Sequence, residues 1–74
     1  MEVRATMFTI LECRKKANLS TQDVAIFLGI EHSLYEEIEA YRKEMSIQLA
    51  IKFSICTKIS LDEIYFFNPE IQLN

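Results

Sequence analysis

The residues of this chain best equipped for chemistry lie close together. Residues 29–40, GIEHSLYEEIEA, hold four glutamates and one histidine and no lysine or arginine, and Arg42 and Lys43 follow almost at once. Carboxylates only accept hydrogen bonds and repel other anions, whereas histidine and serine both donate and accept. With four carboxylates beside His32 and Ser33, the stretch as a whole suits a basic surface better than an anionic one. These residues do not form a catalyst: no spacing in the chain builds a nucleophile–base pair, a phosphate-cradling loop or a metal cluster, so enzymatic activity is not expected. Cys13 and Cys56 belong to no Cys-x-x-Cys or Cys/His pattern, and the chain has one histidine. Both cysteines read as small apolar core residues in a reducing cytoplasm, with no zinc, other metal or cofactor implied.

Composition bounds the frame that must hold these residues. The 74 residues suit one domain. Half are apolar, enough for a packed core, although a single core of this size stabilises by only about 3–5 kcal/mol. One glycine and one proline leave little punctuation for an all-β fold. A net charge of −3 argues against a generic nucleic-acid binder. It leaves room for a specific one, because the local patch matters more than the sum. No apolar run approaches the ~18 residues of a membrane span. The first ten residues, MEVRATMFTI, lack the apolar stretch of a secretory signal. A cytoplasmic domain without a membrane partner is expected.

Hydrophobic periodicity gives short helices. Met7, Ile10, Cys13 and Ala17 make one stripe over residues 6–17. Ser20 and Asp23 are spaced as a capping box opening a second helix, whose inner face is Val24, Ala25 and Leu28. Gly29 stands where a turn needs positive φ. Leu34, Tyr35, Ile38 and Tyr41 define a third helix over about residues 31–41, and Ser46 caps the fourth, IQLAIKFSIC. A second capping-box spacing, Ser60 with Glu63, opens a fifth, LDEIYFF, which Asn68-Pro69 stops. The expectation is an all-α domain over residues 1–67 and a tail over 68–74, where EIQLN suits a short strand or an unstructured end. The Leu28-Gly29-Ile30 connection is a helix-turn-helix candidate, and on this pattern alone an ordinary helical hairpin serves equally well.

The run from Ile10 to Tyr65 resembles the Cro/CI-type (XRE-like) helix-turn-helix family of phage and bacterial regulators. Arg14, LSTQDVAIFLGI, Ile38-Glu39, SIQLAIK and ISLDEIY fall at the family's spacing without insertion or deletion. The resemblance implies a five-helix, lambda-repressor-like bundle whose third helix enters the major groove of double-stranded DNA while the second crosses the backbone. It also implies that Arg14 pairs with Glu39, making that glutamate part of the scaffold; the alternative for Arg14 is a solvated surface charge. The residues nearest the bases are then His32, Ser33, Glu36 and Glu37, with Thr21, Gln22, Arg42 and Lys43 on the phosphates.

The chain departs from the family pattern in three ways. Thr21 stands where many members carry glutamine. AYRKEM lacks the Asn-Gly and Pro that usually follow the third helix, so that helix is free to run on past Tyr41. Most conspicuous is the acidity. Bases are read mainly by Arg, Lys, Asn and Gln, while glutamate suits little beyond the cytosine N4 amine. A carboxylate about 8 Å from a phosphate is repelled by about 0.5 kcal/mol before screening.

The fourth helix carries a second apolar stripe. Leu49, Phe53 and Cys56 make one face, and Ile47, Ile51 and Ile55 another, with Tyr65, Phe66, Phe67, Ile71 and Leu73 adding further apolar side chains beyond the helix. So many apolar side chains mark a homodimer interface or complete the domain's own core around the tail. Two functions follow. One is a homodimeric, sequence-specific DNA-binding transcriptional regulator. The other is an antirepressor or adaptor whose acidic third helix takes a basic protein partner. Affinity for duplex DNA discriminates between them.

Overall fold

A computed structural model of the protein describes residues 7–69. The end EIQLN (70–74), expected as a short strand or an unstructured end and holding Ile71 and Leu73, lies outside those residues, as does Thr6, the expected first residue of the first helix. The described chain is mostly helical. Strand β1 (Phe8–Thr9) leads into α1 (Ile10–Lys16), α2 (Thr21–Leu28), α3 (His32–Glu39) and α4 (Ile47–Thr57), and strand β2 (Ile64–Tyr65) follows a 3-10 turn at Leu61–Glu63.

The two ends of this segment differ from the sequence expectation for one shared reason. β1 and β2 pair in parallel, Phe8 opposite Ile64 and Thr9 opposite Tyr65. At the first end, the helix opens at Ile10 because Thr9 is its cap. The Thr9 hydroxyl accepts from the Glu12 N–H (3.1 Å), and the Glu12 carboxylate accepts from the Thr9 N–H (2.8 Å). At the other end, a fifth α-helix over LDEIYFF is replaced by the single 3-10 turn. The Ser60 side chain makes no cap bond, and the Glu63 N–H donates instead to the Ser60 carbonyl at 2.9 Å. Ile64 then turns extended (φ −118°, ψ 130°), joins the ladder and is buried. Burying a β-branched side chain in a paired strand outweighs another turn of exposed helix.

All four helices stop at a residue in the left-handed region, although the chain has a single glycine. Asn18 (φ 61°), Gly29 (φ 75°), Tyr41 (φ 64°) and Lys58 (φ 61°) follow α1 to α4 in turn. After α1 and α2 the next residue is apolar, and its N–H reaches back to an earlier carbonyl of the helix: Leu19 to Arg14 and Ile30 to Ala25. After α3 the next residue is Arg42, whose N–H bonds to Glu37 at 2.9 Å, and Tyr41 supplies the anchor instead. Its hydroxyl donates to the Tyr65 carbonyl (2.6 Å) and accepts from the Ile10 N–H (3.2 Å). These two bonds offset the ~1–2 kcal/mol that a left-handed tyrosine costs. The third helix therefore ends before Tyr41 and does not run past it.

Ile10, Cys13, Val24, Leu28, Tyr35, Ile38 and Phe53 are fully buried and draw all four helices onto one core. Cys13 and Cys56 are free thiols. Burial, with Glu12 nearby, pushes Cys13 up to about 11. On α4, Phe53 is buried and Leu49 and Cys56 half-buried, whereas Ile47, Ile51 and Ile55 are 66%, 46% and 62% exposed. Phe67 is exposed, while Phe66 packs partly against the core. No helix among the described residues is long and apolar enough to cross a membrane.

Candidate nucleic-acid interface

The candidate site is built on α2, the turn and α3. Ser20 and Asp23 make a reciprocal cap: the Asp23 N–H donates to Ser20 Oγ and the Ser20 N–H to Asp23 Oδ2, each at 3.0 Å. Donation from the Ser20 N–H first, and from the Ser20 side chain second, holds the Asp23 carboxyl below its ordinary range. The cap places Thr21, half-buried, and Gln22, exposed, at the start of α2. Val24, Ala25 and Leu28 face the core, as their spacing implies. Gly29 then turns the chain, and α3 starts after Glu31, which makes no side-chain cap bond.

Tyr35 and Ile38 bury the inner face of α3. His32, Ser33 and Glu36 are exposed, and Glu37 is half-exposed. The Thr21 hydroxyl lies 2.6 Å from His32 Nε2, so one hydrogen bond ties the first turn of α2 to the first turn of α3. The same nitrogen is 3.5 Å from Glu36 Oε2. The family resemblance implies separate roles for Thr21 and His32, one on phosphate and one on bases, and nothing in the sequence signals that they touch. The two lie on different helices with a turn between them, so no periodicity within one helix links them, and only the turn angle brings them together.

Glu39 is turned away from this surface. Arg14 Nε donates to Glu39 Oε2 at 2.6 Å and Nη2 to Oε1 at 3.3 Å, while Nη1 donates to the Leu19 carbonyl at 3.0 Å. The Tyr35 hydroxyl donates to Glu39 Oε2 at 2.8 Å. The hydrogen bond to Glu39 raises Arg14 further above its ordinary value. Burial first, then Glu39, pushes the Tyr35 phenol well up as well. Both members of the ion pair are largely shielded from water, at 14% and 15% side-chain exposure.

The basic end of the site is not free of acid. Arg42 Nη1 lies 3.3 Å from Glu37 Oε2. Lys43 has no ion pair among the described residues and lines a shallow cleft with Ser33, Leu34 and Glu37. Of the four glutamates, Glu39 is thus neutralised by Arg14, Glu37 is paired with Arg42, and Glu36 lies beside His32. Glu31 has no ion pair among the described residues. Ile26 and Phe27 are also exposed on the outer side of α2, at 71% and 51%. They lie off its buried stripe of Val24, Ala25 and Leu28, so the helical spacing itself marks them as outward-facing.

No group of three or more potential metal ligands occurs among the described residues. Comparison of the chain with models of protein families, with curated proteins and with solved structures gave no match.

Proposed function

We propose that this protein is a sequence-specific, double-stranded-DNA-binding regulator of the Cro/CI type, built on a lambda-repressor-like scaffold and acting as a homodimer. In this reading α3 enters the major groove and presents His32, Ser33, Glu36 and Glu37 to the bases. Thr21 and Gln22 at the start of α2, with Arg42 and Lys43 beyond α3, hold the phosphates. The observation that carries it is the Thr21–His32 contact at 2.6 Å. It holds the first turns of α2 and α3 side by side, which suits a helix-turn-helix that grips a strand with one and reads it with the other. The Arg14–Glu39 pair supports the reading by removing one of the four carboxylates from the groove side. The exposed stripe of Ile47, Ile51 and Ile55, continued by Phe67 and the edge of Phe66, is the proposed dimer face; it suits two half-sites about one helical turn apart.

The pairing of Arg42 with Glu37, and a Glu36 side chain 58% exposed, favour a second reading. Here α3 is an acidic surface for a basic protein partner, and the protein is an antirepressor or adaptor. Titration of the protein into labelled duplex at low and then rising salt separates the two. Binding that weakens steeply with salt supports the regulator; no binding at the lowest salt supports the adaptor.

A further inference from the structure

Glu37 is bonded to both basic residues that follow α3. Its carboxylate accepts from Arg42 Nη1 at 3.3 Å. Its carbonyl accepts the N–H groups of Arg42 (2.9 Å) and Lys43 (3.4 Å). It also shares with Ser33, Leu34 and Lys43 a cleft of about 330 Å³. The Arg42 side chain is 69% exposed and that of Glu37 40%, so the pair stands open to competing anions. A guanidinium offers a carboxylate and a phosphate the same planar donors. On Arg42, Glu37 stands in for a phosphate.

We infer that Glu37 is a specificity gate: it holds Arg42 until a DNA phosphate displaces it, and the released carboxylate is then tolerated only where a cytosine amine donates to it. The inference rests on the DNA-binding reading above. Two costs fall on a duplex of arbitrary sequence. Arg42 must exchange one anion for another, which yields little. The freed Glu37 carboxylate, one turn beyond Ser33 on α3, then faces the phosphates with no partner. A cytosine N4 amine within its reach removes the second cost, because donating to a carboxylate is the one base contact glutamate makes well. Glu37 therefore weakens binding to arbitrary duplex more than to the right site. The other charged groups near the exchange are Lys43, which stays free to follow the phosphate, and Glu36, which lies beside His32 and not beside Arg42.

The test compares E37Q with E36Q, which removes one charge from the adjacent position without touching Arg42, and repeats E37Q in an R42A background. The probe is a pool of duplexes of randomised sequence, and thermal unfolding confirms that each variant is folded. Glu37→Gln is expected to bind the pool about three- to fivefold more tightly than the unaltered protein, the factor of one exposed ion pair. Glu36→Gln should gain less, and in R42A the Glu37→Gln gain should shrink to that of Glu36→Gln, because only the repulsion of one carboxylate by phosphate is then relieved. Sequences retained by E37Q should lose a cytosine preference that the unaltered protein shows in each half-site. A gain no larger than that of E36Q, or one that is undiminished in R42A, overturns the gate while leaving DNA binding standing. If neither the unaltered protein nor any variant binds the pool, the DNA-binding reading fails and the gate fails with it.

Discussion

Arg14 on α1 and Glu39 on α3, 25 residues apart in sequence, form a two-pronged ion pair of 2.6 and 3.3 Å that also takes in the Tyr35 hydroxyl and the Leu19 carbonyl. The pair fixes the angle at which α3 leaves the body of the protein, because three of its four members lie on α1 and α3 and the fourth on the loop between α1 and α2. Every acceptor in the set is used, so removing Glu39 strands a shielded guanidinium and a buried phenol. Glu39→Ala is expected to lower the unfolding free energy by about 2 kcal/mol, measured by urea denaturation. A loss below about 0.5 kcal/mol would show the pair to be ornamental.

The left-handed helix ends make opposite forecasts at two positions. Lys58 adopts φ 61° and is exposed, so Lys58→Gly relieves strain and should stabilise by about 1 kcal/mol. Tyr41→Phe keeps the strain and loses both hydroxyl bonds, to Tyr65 and Ile10, and should destabilise by about 1–2 kcal/mol. Thermal unfolding of the two variants tests the pair together, and a shift in the same direction for both would refute the account of the caps.

These two ends also mark how much of the fold was legible in the sequence. The α2 cap, the Gly29 turn and the buried faces of α2 and α3 follow from spacing within one or two helical turns, and spacing of that range is readable. Tyr41 was opaque because what permits its backbone is a hydroxyl bonded to residues 10 and 65, and no local pattern carries that. The same holds for the β1–β2 ladder, which shortens the first helix and replaces the fifth with a turn: Ser60 and Glu63 have capping spacing, but Ile64 is drawn away by Phe8. In the candidate site, the residues nearest the turn came from the resemblance to a family. The pairings Thr21–His32 and Glu37–Arg42 depend on side-chain directions that only the assembled turn and loop define.

Asp23 gives the fold a pH dependence. Its carboxyl lies below the ordinary value in the folded protein because Ser20 donates to it. Above about pH 5, well clear of the ordinary Asp value, the carboxyl is ionised in both folded and unfolded chains and its contribution is complete. As the pH falls further the unfolded chain takes up the proton first, and the contribution is lost by the time the folded value is passed. Asp23→Asn does not titrate, so the stability gap between the unaltered protein and this variant should be constant from pH 7 down to about 5 and narrow steeply below 4. A gap that stays constant through that acid range would contradict the assignment.

Arg42 and Lys43 are proposed to meet phosphate and not bases, which predicts a particular signature. Arg42→Ala and Lys43→Ala should each weaken binding to all duplexes alike and flatten the dependence of log affinity on log salt by about one. His32→Ala should instead alter which sequences are preferred. A change of sequence preference in the two basic variants, without a change in salt slope, would put them on the wrong side of the interface.

The central claim, that α3 reads DNA despite its acidity, is tested most directly by selection. The purified protein is incubated at low salt with duplexes of randomised sequence, and the retained molecules are sequenced over successive rounds. The account predicts an enriched inverted repeat, with half-sites about one helical turn apart. Folded protein that enriches no motif would contradict it and leave the acidic face of α3 to a basic protein partner.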